Sequence, residues 1–246
     1  MRPGVLKRAL VVVGCGALAV TASACESTES ESAKIAREGG PAAAGPSALK
    51  LGAANRGVRA SDVTLLSSSG RTAVAVKLTA TSRRTQHNVP LLVNVTGAGG
   101  KLLYTNGTGG VEAALQRVAL LRPHESAWWV DDQVLVAQKA GAVKVRIGTG
   151  TRPRSRTMPV LSAKTQHVGE QSGLSTLSGE LVNGSSKAQA KVTVFAVALR
   201  GGSVVAAGRA VVESLPGRRG ASVPFQIFLV GNPARAKFEL TAEPSA

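Results

Sequence analysis

At 246 residues the chain has length for two modest domains, and 43% hydrophobic against 18% charged residues is a composition that folds. Its 30 Lys and Arg outnumber 14 Asp and Glu, giving a formal charge of +16 with only two cysteines and 3% aromatics. A disulfide-rich scaffold is excluded by the cysteine count, and the lack of aromatics interleaved with the basic residues argues against nucleic acid as a partner.

Met1 to Ala9 carry Arg2, Lys7 and Arg8 and no acid, and an apolar run with small residues follows to Val20. That run is shorter than the roughly 20 residues a spanning helix needs. A charged start, a short apolar core and the A-x-A end Ala22-Ser23-Ala24 read as a secretory signal over residues 1–24, cut between Ala24 and Cys25. Together with Cys25, the same residues resemble the lipobox of bacterial lipoproteins, with Ala22 where that family usually carries leucine. The resemblance implies a diacylglyceryl group on the Cys25 sulfur and an anchor at the outer face of the cytoplasmic membrane. Cys15 leaves with the signal, so the mature chain keeps one cysteine, at its first residue. A lone terminal thiol in a secreted chain calls for a use, and lipid attachment supplies one.

Residues 25–56 are rich in Ser, Glu, Ala, Gly and Pro, with few large apolar side chains. Such a segment cannot bury enough surface to offset its ordering entropy and is expected to be a flexible tether, with an end-to-end distance of roughly 30 Å.

From residue 57 the texture changes to short strands between turns. In "TAVAVKLT" Val74, Val76 and Leu78 share a face; in "VKVRIG" Val143, Val145 and Ile147 oppose Lys144 and Arg146. "GAGGK", "NGTGG" and "RPHES" are turn sequences. "VEAALQRVALL" spaces Val111, Leu115 and Val118 as a helix does, so 111–118 is open between helix and strand, with a strand at 117–121. After a basic linker at 151–159, residues 160–246 repeat the texture. "ELVNGSSKAQAKVTVFAVALRGGSVVAAG" reads strand, turn, strand, turn, strand. Val223, Phe225, Ile227 and Leu229 share a face, with Pro224 marking an edge strand or a bulge. "AKFELTAE" turns Phe238 and Leu240 inward.

The halves look related. "GGKLL" at 99–103 matches "GGSVV" at 201–205. "LLRPHESAWWV" from residue 120 pairs loosely with "ESLPGRRGASVPF" from 213, and "AVKVRIG" with "RAKFELT", at a shared offset of 93. Evenly spaced short strands predict an all-β chain of two tandem immunoglobulin-like β-sandwiches, over 57–150 and 160–246.

This organisation resembles small extracytoplasmic lipoproteins of high-GC Gram-positive bacteria, and the second half is similar to the immunoglobulin-like FxLYD domains. The stretch Phe195-Ala196-Val197-Ala198-Leu199, followed by Arg200-Gly201, stands where that family has Phe-x-Leu-Tyr-Asp and a glycine turn, without the tyrosine and aspartate. "SLPGRRGASVPF" fits the family's Pro-Gly loop. The resemblance implies a non-catalytic extracellular module.

No catalytic pattern emerges from the residues. His87, His124 and His167 are far apart in polar, turn-like contexts without metal-ligand spacing, and no serine elbow or phosphate loop is present. No cofactor is called for. Asp131 and Asp132 are adjacent, so on a strand they face opposite ways. Trp128 and Trp129 are the chain's only tryptophans, and on a strand one ring faces the core and the other outward. One reading has the outer ring shielded by the 111–118 segment. The other makes Trp128 or Trp129, rimmed by His124, Glu125, Asp131 and Asp132, an anchor for an unknown protein partner or a glycan.

Removing Arg2, Lys7 and Arg8 takes the formal charge from +16 to +13. Outside a cell that excess points to anionic lipids or wall polymers. Two roles stay open: a membrane-anchored binding or structural module of the envelope, or an enzyme or enzyme accessory whose site the sequence hides.

Overall fold

The computed structural model describes residues 48–136, 139–151 and 158–245. The signal, the cleavage bond at Ala24 and Cys25, the tether as far as residue 47 and linker residues 152–157 lie outside the described residues.

The chain is all-β. The first half contains β1 (Val58–Ser68), β2 (Arg71–Ala80), β3 (Gln86–Gly97), β4 (Leu102–Thr105), β5 (Arg117–Leu121), β6 (Ser126–Asp131) and β7 (Ala140–Ile147). The second contains β8 (Leu161–Gln171), β9 (Leu174–Asn183), β10 (Gln189–Arg200), β11 (Ser203–Leu215), β12 (Ser222–Phe228), β13 (Val230–Gly231) and β14 (Lys237–Glu243). The 111–118 segment divides into a 3₁₀ turn at Ala113–Leu115 and the start of β5. His87 and His167 lie on strands β3 and β8, so the turn context expected for all three histidines holds only for His124.

Sheet order shows the repeat. In the first half β1-β2-β6 form one sheet, while β3 pairs with β4, β5 and β7 in the other. In the second half β8-β9-β12 form one sheet and β14-β10-β11-β13 the other. The matching "GG" turns both follow the third strand of their half, and the matching closing segments are β7 and β14. A further repeat escaped the sequence reading: Ser69-Gly70 and Ser172-Gly173 close the first hairpin of each half, all four with positive φ. Two-residue hairpins of the primed type need that conformation to follow the strand twist. Pro224 does sit on an edge strand, since β12 ends its sheet.

Two apolar clusters are present, and the first extends across the seam into the second half. The described residues from 48 onward form one compact unit. The sheet β1-β2-β6 lies against β13-β11-β10-β14, so four sheets stack in sequence, and Phe195, Val197 and Ala207 belong to the same apolar cluster as Val76, Trp128 and Trp129. The opposite row of β10 and its neighbour β11, with Val192, Val194, Ala196, Ala198 and Ala206, packs on Leu177, Leu181, Phe225 and Ile227 of the second half. Strand β10 is therefore buried on both faces, from Val192 to Ala198 without interruption. A strand in that position has to be apolar on both rows.

Residues 48–56, at the end of the span expected to be a tether, lie against the first sandwich. Leu49 N–H donates to Gly107 O at 3.0 Å, Asn55 N–H donates to Ile147 O at 2.9 Å, and Ala54 bridges Gly148. Gly148 lies so close to Leu51 that a Cβ there would meet the Leu51 carbonyl oxygen. Backbone hydrogen bonds hold this segment to the first sandwich.

Candidate functional site

The chemistry-bearing side chains gather at the seam between the sandwiches, in two groups. Strand β6 supplies the first. Because its side chains alternate, Trp129 and Trp128 point to opposite faces. Trp129 enters the first sandwich and donates from Nε1 to Ala114 O at 2.9 Å. Trp128 faces the second half, where its indole donates to Glu239 Oε2 at 2.6 Å and its backbone N–H to Thr241 Oγ1 at 2.9 Å. Lys77 Nζ lies 5.3 Å from the Trp128 ring centroid. Both rings are buried, at 3% and 0% exposure. This overturns the reading of an outward ring as a partner anchor: the chain's own β14 covers it.

Asp131 is also buried, accepting from Tyr104 Oη at 2.5 Å and from the Gln133 backbone N–H at 3.0 Å. Burial raises its pKa, against the pull of those two hydrogen bonds. Burial likewise raises Tyr104 well above its ordinary value, with the Asp131 charge adding to it. Asp132 turns the other way and meets Arg209, whose Nε donates to Oδ1 at 3.0 Å. The second guanidinium arm reaches Glu112 at 2.8 Å. The Arg209 side chain is 5% exposed and that of Asp132 11%, so this is a buried pair with an outer carboxylate, Glu112, at its rim. Burial raises the Asp132 pKa, and the Arg209 charge opposes the shift.

Local structure explains the convergence. Arg209 is paired in register with Phe195 and so shares the face of β11 turned toward the first half. Glu112 precedes the 3₁₀ turn, which Asn106 fixes by accepting from Val93 N–H and donating to Leu91 O and Leu115 O. Of the four candidates, then, Trp129 and Asp131 face into the first sandwich, and Trp128 and Asp132 face the seam. They serve as internal fasteners rather than as a surface. Arg209, Glu112 and Tyr104 were missed, although an arginine within the apolar run "VVAAGRAVV" was a legible sign of a buried charge seeking acids.

The second group lies at the other end of the seam. On β14, Glu239, Thr241 and Glu243 alternate with Phe238, Leu240 and Ala242, and the two rows face different halves. Glu243 Oε2 accepts from Ala119 N–H of β5 at 2.9 Å. Its Oε1 has no hydrogen-bond partner among the described residues. Burial pushes its pKa up to about 8; the Ala119 hydrogen bond opposes this and the Glu125 charge adds to it. Nearby Glu125 accepts from the Arg122 backbone at 2.7 Å and from its guanidinium at 3.4 Å, and Arg122 also donates to Pro159 O. Among the described residues no three His, Cys, Asp or Glu side chains are grouped to hold a metal ion.

No family model matches this chain, and no curated protein matches it. Among solved structures, the C-terminal globular domain of an oligosaccharyltransferase from Pyrococcus abyssi aligns at 9% identity, over 76% of this chain and 45% of that one, with a TM-score of 0.13.

Proposed function

We propose that this chain is a lipid-anchored module on the outer face of the cytoplasmic membrane, acting by binding or as a structural part of the envelope rather than by catalysis. One observation carries the reading of a module over that of an enzyme. Arg209 joins Asp132 and Glu112 across the seam, so the charged groups with the most perturbed surroundings at that end are committed to holding two sandwiches as one body. The Ala22-Ser23-Ala24-Cys25 sequence and the resemblance of the second half to FxLYD domains support the same reading.

A surface feature supports contact with anionic headgroups or wall polymers. Lys144 and Arg146 form the exposed row of β7, opposite Asn94 and Leu92 on β3, and neither makes an ion pair among the described residues. Each such cation near an anionic surface contributes about 1 kcal/mol.

Intact-mass analysis of the membrane fraction from a Gram-positive host tests the anchor. The expected species begins at Cys25 and carries a diacylglyceryl mass, and Cys25→Ala releases the protein or leaves the precursor uncut. A wild-type chain that accumulates unlipidated in the medium overturns the proposal.

A further inference from the structure

We infer that the cleft at the Glu243 end of the seam binds the main chain of an extended peptide segment. The inference deepens the binding-module reading and rests on it.

Four strands border this cleft, β5, β6, β8 and β14, and each is the end strand of its own sheet. The outer row of N–H and C=O groups on an end strand has no ladder partner, which makes it a template for another extended chain. Side chains of β14 satisfy part of that row, Thr241 taking the Trp128 N–H and Glu243 the Ala119 N–H. Between the edges is a cavity of about 260 Å³, lined by Arg122, Glu125, Ser126, Ser162, Thr241 and Glu243 among others. That is below the usual size of a small-molecule pocket, and it suits a peptide unit or two rather than a bulky ligand.

Glu243 supplies the independent sign of a ligand. The residue is 4% exposed, it lines the cavity, and Oε1 is unpartnered among the described residues. A buried polar atom without a partner is costly, and a ligand that pairs with it recovers the loss. The charged groups around it decide the ligand's character. Glu125 faces it from the turn before β6, and the Arg122 guanidinium beside Glu125 is taken up by that carboxylate and by Pro159 O. Among the described residues that line the cavity, an anionic ligand meets Glu125 with no uncommitted cation to receive it. With its pKa pushed up to about 8, Glu243 is largely a neutral acid at pH 7, so Oε1 donates a proton to a carbonyl oxygen. A peptide carbonyl is such an acceptor, and the adjoining amide N–H meets the free carbonyls of the strand edges, the pattern of strand addition.

The test uses the full mature chain, labelled with ¹⁵N, and N-acetyl-Val-Thr-Val-amide as probe, beside an analogue in which the central amide is an ester. Saturable shifts confined to the cleft residues are expected, with the ester about tenfold weaker for want of one N–H. Affinity is expected to fall as pH rises through 8. Glu243→Gln keeps binding and loses that pH dependence, whereas Glu243→Leu loses about tenfold or more, with circular dichroism showing both variants folded. Absence of shifts at millimolar probe, equal binding of the ester, or unchanged binding by folded Glu243→Leu overturns the inference. Saturable binding of calcium chloride at Glu243 without peptide binding also overturns it and assigns a cation site. None of these outcomes alters the lipid mass at Cys25, so failure of the cleft is distinct from failure of the anchored-module reading.

Discussion

The two ends of the seam solve the same problem in different ways. Each joins a strand of the second sandwich to the first through an ionisable side chain that burial removes from water. At one end Arg209 is held by Asp132 and Glu112, and charge meets charge. At the other Glu243 takes one backbone N–H, is turned toward Glu125, and keeps an oxygen to spare. A buried charge is tolerated when it is paired and is otherwise neutralised. The first end is therefore expected to behave as a fixed fastener over a wide pH range, and the second as a joint whose strength depends on a proton.

Breaking the paired end gives the largest expected effect. Arg209→Met strands Asp132 at 11% exposure beside buried Asp131, and removal of one partner from a buried pair costs about 3–5 kcal/mol. Urea unfolding measures the loss. Replacing Arg209 and Asp132 together by apolar residues is expected to recover most of it, because the penalty lies in the abandoned charge. A loss under about 1 kcal/mol for Arg209→Met would place the pair with surface ion pairs and remove the contrast between the ends.

The unpaired end is next, and its effect has a sign. The Glu243 carboxyl has an ordinary pKa of 4.5 and one raised to about 8 when folded, so between those values the folded chain holds a proton that the unfolded chain has lost. Stability therefore falls as pH rises from about 4.5 to about 8, by at most about 1.4 kcal/mol per pH unit, and is level in this respect outside that window. Glu243→Gln is expected to flatten that slope. An unchanged slope in the Gln variant would show that Glu243 is not the group responsible.

How far this was legible in the sequence differs by element. Strands such as β7 and β12 were readable because one row is apolar and the other polar, and turn chemistry placed their ends. The seam was hidden for the opposite reason. Strand β10 is apolar on both rows, so alternation says nothing about which row meets which sheet, and the run reads equally as the centre of an independent sandwich. On β14 the row of Glu239, Thr241 and Glu243 is polar, and nothing in a single strand announces the neighbour that will cover it. The tryptophans were the intermediate case. Opposed rings followed from strand geometry, but the partner of the outer one is this chain's own β14, more than a hundred residues away.

Trp128 joins the two ends of the comparison, since it is fastened by a hydrogen bond to a carboxylate without being charged itself. Trp128→Phe keeps most of the ring and loses the 2.6 Å bond to Glu239, along with part of the attraction to Lys77. Hydrogen bonds to charged groups contribute about 1.5–3 kcal/mol, but Glu239 is half exposed and regains water, so the expected loss is about 1–2 kcal/mol in urea unfolding. Trp129→Phe, whose indole bonds Ala114 O inside the first sandwich, is the matched control for a contact that does not cross the seam.

The smallest effect is expected at the other arginine, and it sharpens the contrast most directly. Arg122 resembles Arg209 in holding a glutamate near the seam, but its side chain is 41% exposed where that of Arg209 is 5%, and Glu125 is 35% exposed. Exposed pairs contribute little, about 0–1 kcal/mol, because water screens them and long side chains lose entropy in one geometry. Arg122→Ala also keeps the bond from the Arg122 backbone to Glu125, so the turn before β6 retains its main fastener. A loss below about 1 kcal/mol is therefore expected in urea unfolding, a fraction of that for Arg209→Met. A comparable loss for the two variants would mean that burial does not set the strength of these arginine contacts, and that the seam is held alike at both ends.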